Sequence, residues 1–227
     1  MDVIHIFNGK YNVAIIENDQ YIGNTIRHGY EWDGWMRRDI KEHYKENTDI
    51  LDIGANIGYN TLMFSDYGPV HSFEPVYHHL VSRNIEINKL NNPVKVYDIA
   101  LSNRVGDVTL YMPKNATDNP KCINYGGTSM NPSEGHNMET PMVRKCDTLD
   151  NVYSGVPSII KIDIEGEELN MLRGAVETIK KHKPVLIIEI HGYSEDNEVV
   201  AFLKTLGYTD TPTTRPEHMY IFKTLYV

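Results

Sequence analysis

Two sets of residues in this chain have the types and spacing to do chemistry together. The first is Asp52-Ile53-Gly54-Ala55-Asn56-Ile57-Gly58-Tyr59-Asn60, with Glu74 twenty residues past Gly54. The apolar run Ile50-Leu51-Ile53 breaks off at Gly54, and a helical pattern resumes straight after Gly58. A strand, a glycine turn and a helix in that order let a ligand approach the backbone and aim free N–H groups at it. Such a ligand is flat, polar and partly anionic. Glu74 ends a second apolar run, from Val70 to Phe73, where a carboxylate can accept both hydroxyls of a ribose. The second set is Lys161-Ile162-Asp163 and Glu189-Ile190-His191, each at the end of an apolar run. Carboxylates and an imidazole at adjacent strand ends can take a proton from a hydroxyl or hold a divalent ion.

The flanks of the turn narrow the ligand. A dinucleotide-binding loop reads G-x-G-x-x-G, with its acid about twenty residues on. Here the glycines are spaced G-x-x-x-G, and Asp52 stands two residues before the first. D-x-G-x-N-x-G followed by a strand ending in Glu resembles the S-adenosylmethionine site of a class I methyltransferase. On that resemblance the cofactor contacts are Asp52, Gly54, Ala55, Asn56, Gly58, Asn60, Glu74 and Pro75. Asp98, Ile99 and Ala100 follow the third strand. Asp98 is a candidate acceptor for the adenine amino group, with Ile99 and Ala100 flanking the ring; a solvated strand-end aspartate is the plain alternative.

These residues need a scaffold of alternating strands and helices. Val3–Phe7 and Asn12–Ile16 read as two strands joined at Asn8-Gly9, an appended hairpin within residues 1–28. A leading helix is expected over 29–48, with Trp32, Met36 and Ile40 at one-turn spacing. The core then runs from 49 to 227: strands at 49–53, 70–74, 94–98, 158–163 and 184–191, helices between them, and closing strands near Tyr208 and 218–222. Leu169, Leu172, Val176 and Ile179 fall on one helical stripe, and Glu167 and Glu168 in its first turn suit the helix dipole. The stretch 113–140 is too long for a plain connector, and Asn124 to Ser129 is its candidate ligand-contacting piece. The expected fold is α/β: a Rossmann-like, mostly parallel seven-stranded sheet with helices on both faces, in a single domain over 1–227.

Composition sets limits on function. A formal charge of −9 argues against a broad nucleic-acid-binding face. The two cysteines, Cys122 and Cys146, match no zinc spacing and read as free thiols in a reducing compartment. No signal-like segment or long apolar run is present, so the expectation is a cytoplasmic protein that does not insert in a membrane.

Four motifs together resemble the FkbM-type methyltransferases. They are D-I-G-A-N-I-G-Y-N-T at Asp52–Thr61, S-F-E-P at Ser72–Pro75, A-L-S at Ala100–Ser102 and I-K-I-D-I-E-G-E-E at Ile160–Glu168. The last is the most specific, and the match spans roughly residues 29 to 208. The resemblance implies S-adenosylmethionine as donor and O-methylation, with hydroxyls of sugars or polyketide-type products as acceptors. A small-molecule or glycan acceptor is therefore the expected partner.

An alcohol acceptor needs its proton removed while a donor and acceptor are held in line. The candidate catalytic residues are Asp163, His191, Lys161 and Glu189. His191 is the candidate base, and Asp163 can orient it, hold the acceptor hydroxyl or touch the donor. A divalent ion on Asp163, Glu189 and His191 is the second arrangement, ranked behind metal-free base catalysis. A third has Glu189 buried against Lys161, leaving only His191 to face substrate. No N/D-P-P-Y/F run follows the fourth strand, which disfavours N-methylation of a nucleobase. The Lys161, Asp163 and Glu189 set only partly matches a ribose 2′-O-methyltransferase of RNA. A non-enzymatic S-adenosylmethionine-binding subunit stays open.

Overall fold

The computed structural model describes residues 3–113, 124–130, 138–194, 196–209 and 212–224. The chain opens with β1 (Val3–Phe7) and β2 (Asn12–Ile16), an antiparallel hairpin, followed by α1 (Ile22–Arg27) and α2 (Met36–His43). Then come β3 (Asp49–Ile53), α3 (Tyr59–Phe64), β4 (Val70–Phe73), α4 (His78–Glu86) and β5 (Val94–Tyr97). β6 (Ala100–Leu101), β7 (Gly106–Pro113) and β8 (Met138–Asp147) form a separate three-stranded sheet. The chain returns through α5 (Leu149–Val152) to β9 (Pro157–Ile162), α6 (Glu168–Arg173), α7 (Val176–His182) and β10 (Val185–Glu189). It finishes with α8 (Glu198–Thr205), β11 (Thr213–Thr214) and β12 (Met219–Phe222).

The main sheet has seven strands in the order β11-β12-β10-β9-β3-β4-β5. β12 runs antiparallel to its neighbours, and β10, β9, β3, β4 and β5 pair in parallel. The order reverses beside β3, so a crevice opens between the carboxyl ends of β3 and β9, the usual ligand position in such sheets. β9 is buried at every residue because helices cover both faces. Leu51, Ile160 and Leu186 pack under α6, α7 and α8, while Ile50, Ile159 and Ile187 pack under Met36 and Ile40 of α2 and Phe64 of α3. No helix among the described residues is long and apolar enough to cross a membrane.

Two elements differ from the sequence expectation. The leading helix of 29–48 is broken. Gly29 and Asp33 take left-handed backbone angles, φ +83° and +52°, so α2 starts only at Met36 and a turn occupies 29–35. Arg37 fixes this turn by pairing with Glu31 at 2.7 Å and with Asp66 at 2.8 Å. Asp39, fully buried, takes both Nε and Nη2 of Arg215 at 2.7 Å and ties α2 to the far edge of the sheet. Second, the helix after β9 divides at Gly174, where a Cβ would lie 2.0 Å from the carbonyl oxygen of Ser102. The appended hairpin forms as expected and packs on α4. Buried Asn84 accepts from Ala14 N at 2.6 Å and donates to Ala14 O at 3.1 Å, which satisfies the open edge of β2.

Candidate active site

The register of the sheet stacks two polar rows at its carboxyl end. In the inner row Asp52 on β3 stands opposite Lys161 on β9 and Ser72 on β4. Thr61 of α3 bridges it, donating to Asp52 Oδ2 at 2.6 Å and sharing a hydrogen bond with Ser72 at 2.6 Å. Lys161 is almost wholly buried; its Nζ donates to Gly54 O at 2.9 Å and lies 3.1 Å from Asp163 Oδ2 and 3.6 Å from Asp52 Oδ1. Burial opposes the ammonium charge, but Asp163, Asp52 and Asp33 outweigh it and push its pKa up. Lys161 is thereby held in its charged form and ties the strand ends together, and it lines the cavity beside Asp163. The suggested Lys161–Glu189 pair gives way, since Lys161 pairs with Asp52 and Asp163, and Glu189 with His191.

The glycines also have a packing role. A Cβ on Gly54 (φ +76°) would sit 1.8 Å from Asp163 O, and one on Gly58 (φ +83°) would sit 2.9 Å from Val81 Cγ1. Gly54 lets β3 and β9 converge, and Gly58 lets the turn pack on α4. The crevice above them is a cavity of about 840 Å³. Of the expected cofactor residues, Gly54, Ala55, Asn56, Asn60, Glu74, Pro75, Ile99 and Ala100 line it. Asp52 and Gly58 do not; they support the turn from beneath. Asp98 does not either: it faces His78 at 3.4 Å and borders a separate shallow pocket with Asp107 and Arg144. Strand alternation past β5 turns it away from the crevice.

Glu74 lines the cavity and is nearly fully buried. Its Oε1 accepts from Val76 N at 2.8 Å and Tyr77 N at 3.0 Å, and its Oε2 from Asn56 N at 2.8 Å. Burial raises its pKa against the pull of those three N–H groups. A carboxylate has about four lone-pair sites, so about one remains for a ligand hydroxyl, rather than the two expected. The segment Asn124 to Ser129 lies across the cavity, with Ser129 Oγ donating to Glu165 O at 2.7 Å.

The outer row carries Asp163, Glu189 and His191, which the fold brings together along the same cavity. His191 Nε2 is 3.3 Å from Glu189 Oε2 and 3.9 Å from Glu165 Oε2. Glu189 Oε2 is buried and has no hydrogen-bond partner among the described residues. Burial, then the charges of Asp163 and Glu165, push the Glu189 carboxyl up to about 9; burial and Asp163 push Glu165 up to about 7. At neutral pH Glu189 is a neutral acid. One ligand atom each from Glu165, Glu189 and His191 lie within 4.8 Å of one another, donor types that suit a divalent ion. Glu165, at φ +54°, takes the place expected of Asp163 in that triad, because the left-handed turn swings it inward.

Reading the sequence missed Asp33, Glu165 as a site residue, and His218, whose ring lies 5.1 Å from that of His191. None carries a local motif of its own. Asp33 falls in a stretch with helical spacing, and Glu217 and His218 sit in a left-handed turn before β12. Cys146 is free and buried, whereas Cys122 lies outside the described residues.

The strand order, the glycine turn at the crevice and the acid-ended β4 define a class I methyltransferase fold. The known proteins agree. Residues 52–209 match the family model described as the methyltransferase FkbM domain. The chain belongs to this family, and it is a methyltransferase. It is 24% identical over 179 residues to the hexuronic acid methyltransferase AglP of Haloferax volcanii, covering 74% of this chain and 71% of that protein. The crystal structure of the methyltransferase FkbM from Methylobacillus flagellatus superposes with a TM-score of 0.51 at 18% identity. That match covers 79% of this chain but 44% of the other, so the chain spans less than half of that protein's length.

Proposed function

We propose that this protein is an S-adenosylmethionine-dependent O-methyltransferase acting on a hydroxyl of a carbohydrate. The observation that supports it is one continuous cavity joining the Gly54–Glu74 turn to the Glu189–His191 pair. The turn fits a nucleoside: Glu74 keeps an acceptor site for a ribose hydroxyl, and Ile99 and Ala100 form an apolar wall. The relative that, by its name, methylates hexuronic acid supports a sugar as acceptor. The acceptor enters as a small molecule or glycan.

S-adenosylmethionine supplies an activated methyl group, and the rest falls to the chain. Gly54, Asn56 and Glu74 would hold the donor, which would supply its methyl group to the acceptor oxygen and leave as the neutral thioether. The hydroxyl proton passes to the imidazole of His191, which needs no metal to accept it. His191 is more than half exposed, so it can pass the proton on to water. Glu189 packs 3.3 Å from the ring, and Glu165, at 3.9 Å, offsets the charge of the imidazolium. Lys161 keeps Asp163 fixed at the junction of donor and acceptor.

The test is transfer of a labelled methyl group onto nucleotide sugars, oligosaccharides, RNA and protein. Alkali-stable label on carbohydrate alone is expected. Label on RNA, or on none of the panel while S-adenosylhomocysteine binds, would overturn the acceptor assignment.

A further inference from the structure

One corner of the cavity has a buried hydrogen-bond acceptor, Asn60 Oδ1, that no donor among the described residues answers. Asp33 lies in the turn before α2, and Asn60 opens α3; both line the cavity beside Gly54. Asn60 Nδ2 donates to Asp33 Oδ2 at 3.0 Å, and Trp35 Nε1 donates to Asp33 Oδ1 at 3.2 Å. Asn60 is 6% exposed, and its Oδ1 has no hydrogen-bond partner among the described residues. A buried amide oxygen left without a donor is costly, and native structures rarely keep one unless a ligand or water answers it. Among the described residues the Asp33 carboxylate beside it makes no ion pair. Lys161 is the basic group that acts on Asp33, and its ammonium is already taken up by Gly54 O, Asp163 and Asp52.

These features select the ligand group. A hydroxyl would satisfy Asn60 but bring no positive charge to the Asp33 carboxylate. A carboxylate would be repelled by Asp33 and offers Asn60 Oδ1 no proton. An ammonium has three N–H donors and one positive charge, and answers both. We propose that Asp33 and Asn60 form an ammonium subsite that takes the α-amino group of the methyl donor's amino-acid portion. This rests on the donor reading above and adds the residues that grip its charged end. Asp33 is placed by tertiary ties: Arg37 holds Glu31, two residues before it, and Arg215 holds Asp39 behind it.

The test compares two ligands that share adenosine and sulfur. S-adenosylhomocysteine carries the amino-acid portion, and 5′-methylthioadenosine lacks it. In calorimetry, Asp33→Asn should weaken S-adenosylhomocysteine by roughly tenfold to a hundredfold, the loss of a charged hydrogen bond. Its affinity for 5′-methylthioadenosine should match that of the wild type, which also shows that the variant folds. Equal losses for both ligands, or none for either, overturn the subsite. If Asp33→Asn does not fold, the wild type decides: the S-adenosylhomocysteine analogue lacking its α-amino group must bind more weakly, and equal binding overturns the proposal. A wild type that binds neither adenosine ligand removes the donor reading itself, a different outcome from binding without selectivity.

Discussion

Glu189→Gln tests the electrostatics of the outer row through stability. The Glu189 carboxyl is pushed from an ordinary value of 4.5 up to about 9 by burial and by Asp163 and Glu165. In the unfolded chain it ionises near its ordinary value, so between those limits the folded state holds a proton that the unfolded state has released. Stability then falls as pH rises through this window, at up to about 1.4 kcal/mol per pH unit per proton. Glu165 adds a similar slope only up to about 7, so Glu189 dominates above neutrality. From about pH 7 to about pH 8.5 the wild type should lose up to about 2 kcal/mol through this group, less where solvent relaxes around the 14% of its side chain that is exposed. Glutamine keeps the shape and cannot ionise. Other buried acids, such as Asp52 and Glu74, shift in both proteins and cancel in the difference. Urea unfolding followed by the fluorescence of Trp32 and Trp35 measures it. The gap between variant and wild type should widen with pH in the variant's favour. A gap that stays constant from pH 7 to 8.5 would refute the claim that Glu189 is held neutral.

Four further outcomes follow from the geometry. Gly54→Ala places a Cβ 1.8 Å from Asp163 O at a left-handed backbone position, so the ends of β3 and β9 must part. We expect a loss of at least about 2 kcal/mol in denaturant unfolding together with loss of S-adenosylhomocysteine binding; a stable variant that still binds would contradict the convergence argument. Glu74→Gln leaves at least one of the N–H groups of Asn56, Val76 and Tyr77 facing an amide NH2, which should cost roughly 1–3 kcal/mol of stability and weaken cofactor binding. Weakened binding at unchanged stability would mean that those backbone bonds contribute little. His191→Ala should lower kcat by about a hundredfold or more while S-adenosylhomocysteine affinity stays within about twofold. Wild-type turnover should survive a chelator, and activity that needs added divalent ions would move Glu165, Glu189 and His191 from base to metal triad.

The sequence alone determined the sheet and the position of the crevice. The apolar run at 185–188, and those at 50–53 and 159–162 that only Asp52 and Lys161 interrupt, fit strands covered on both faces, and Gly54 marks where one of them must turn. It also brought Lys161, Asp163, Glu189 and His191 together, because period-two alternation at neighbouring strand ends is a local rule. Tertiary structure decided what each side chain does. Register set Lys161 against Asp52, which left Asp52 beneath the cavity and Lys161 in its wall beside Asp163. Strand-end direction carried Asp98 away from the crevice, and left-handed turns brought Glu165 and His218 into it. Asp33 shows the limit most plainly. Its stretch has helical spacing, yet ties from Arg37 to Asp66 and from Asp39 to Arg215 surround a broken helix that presents a carboxylate to the cavity. Those partners lie up to 176 residues apart in the chain, a separation over which local propensity carries no information.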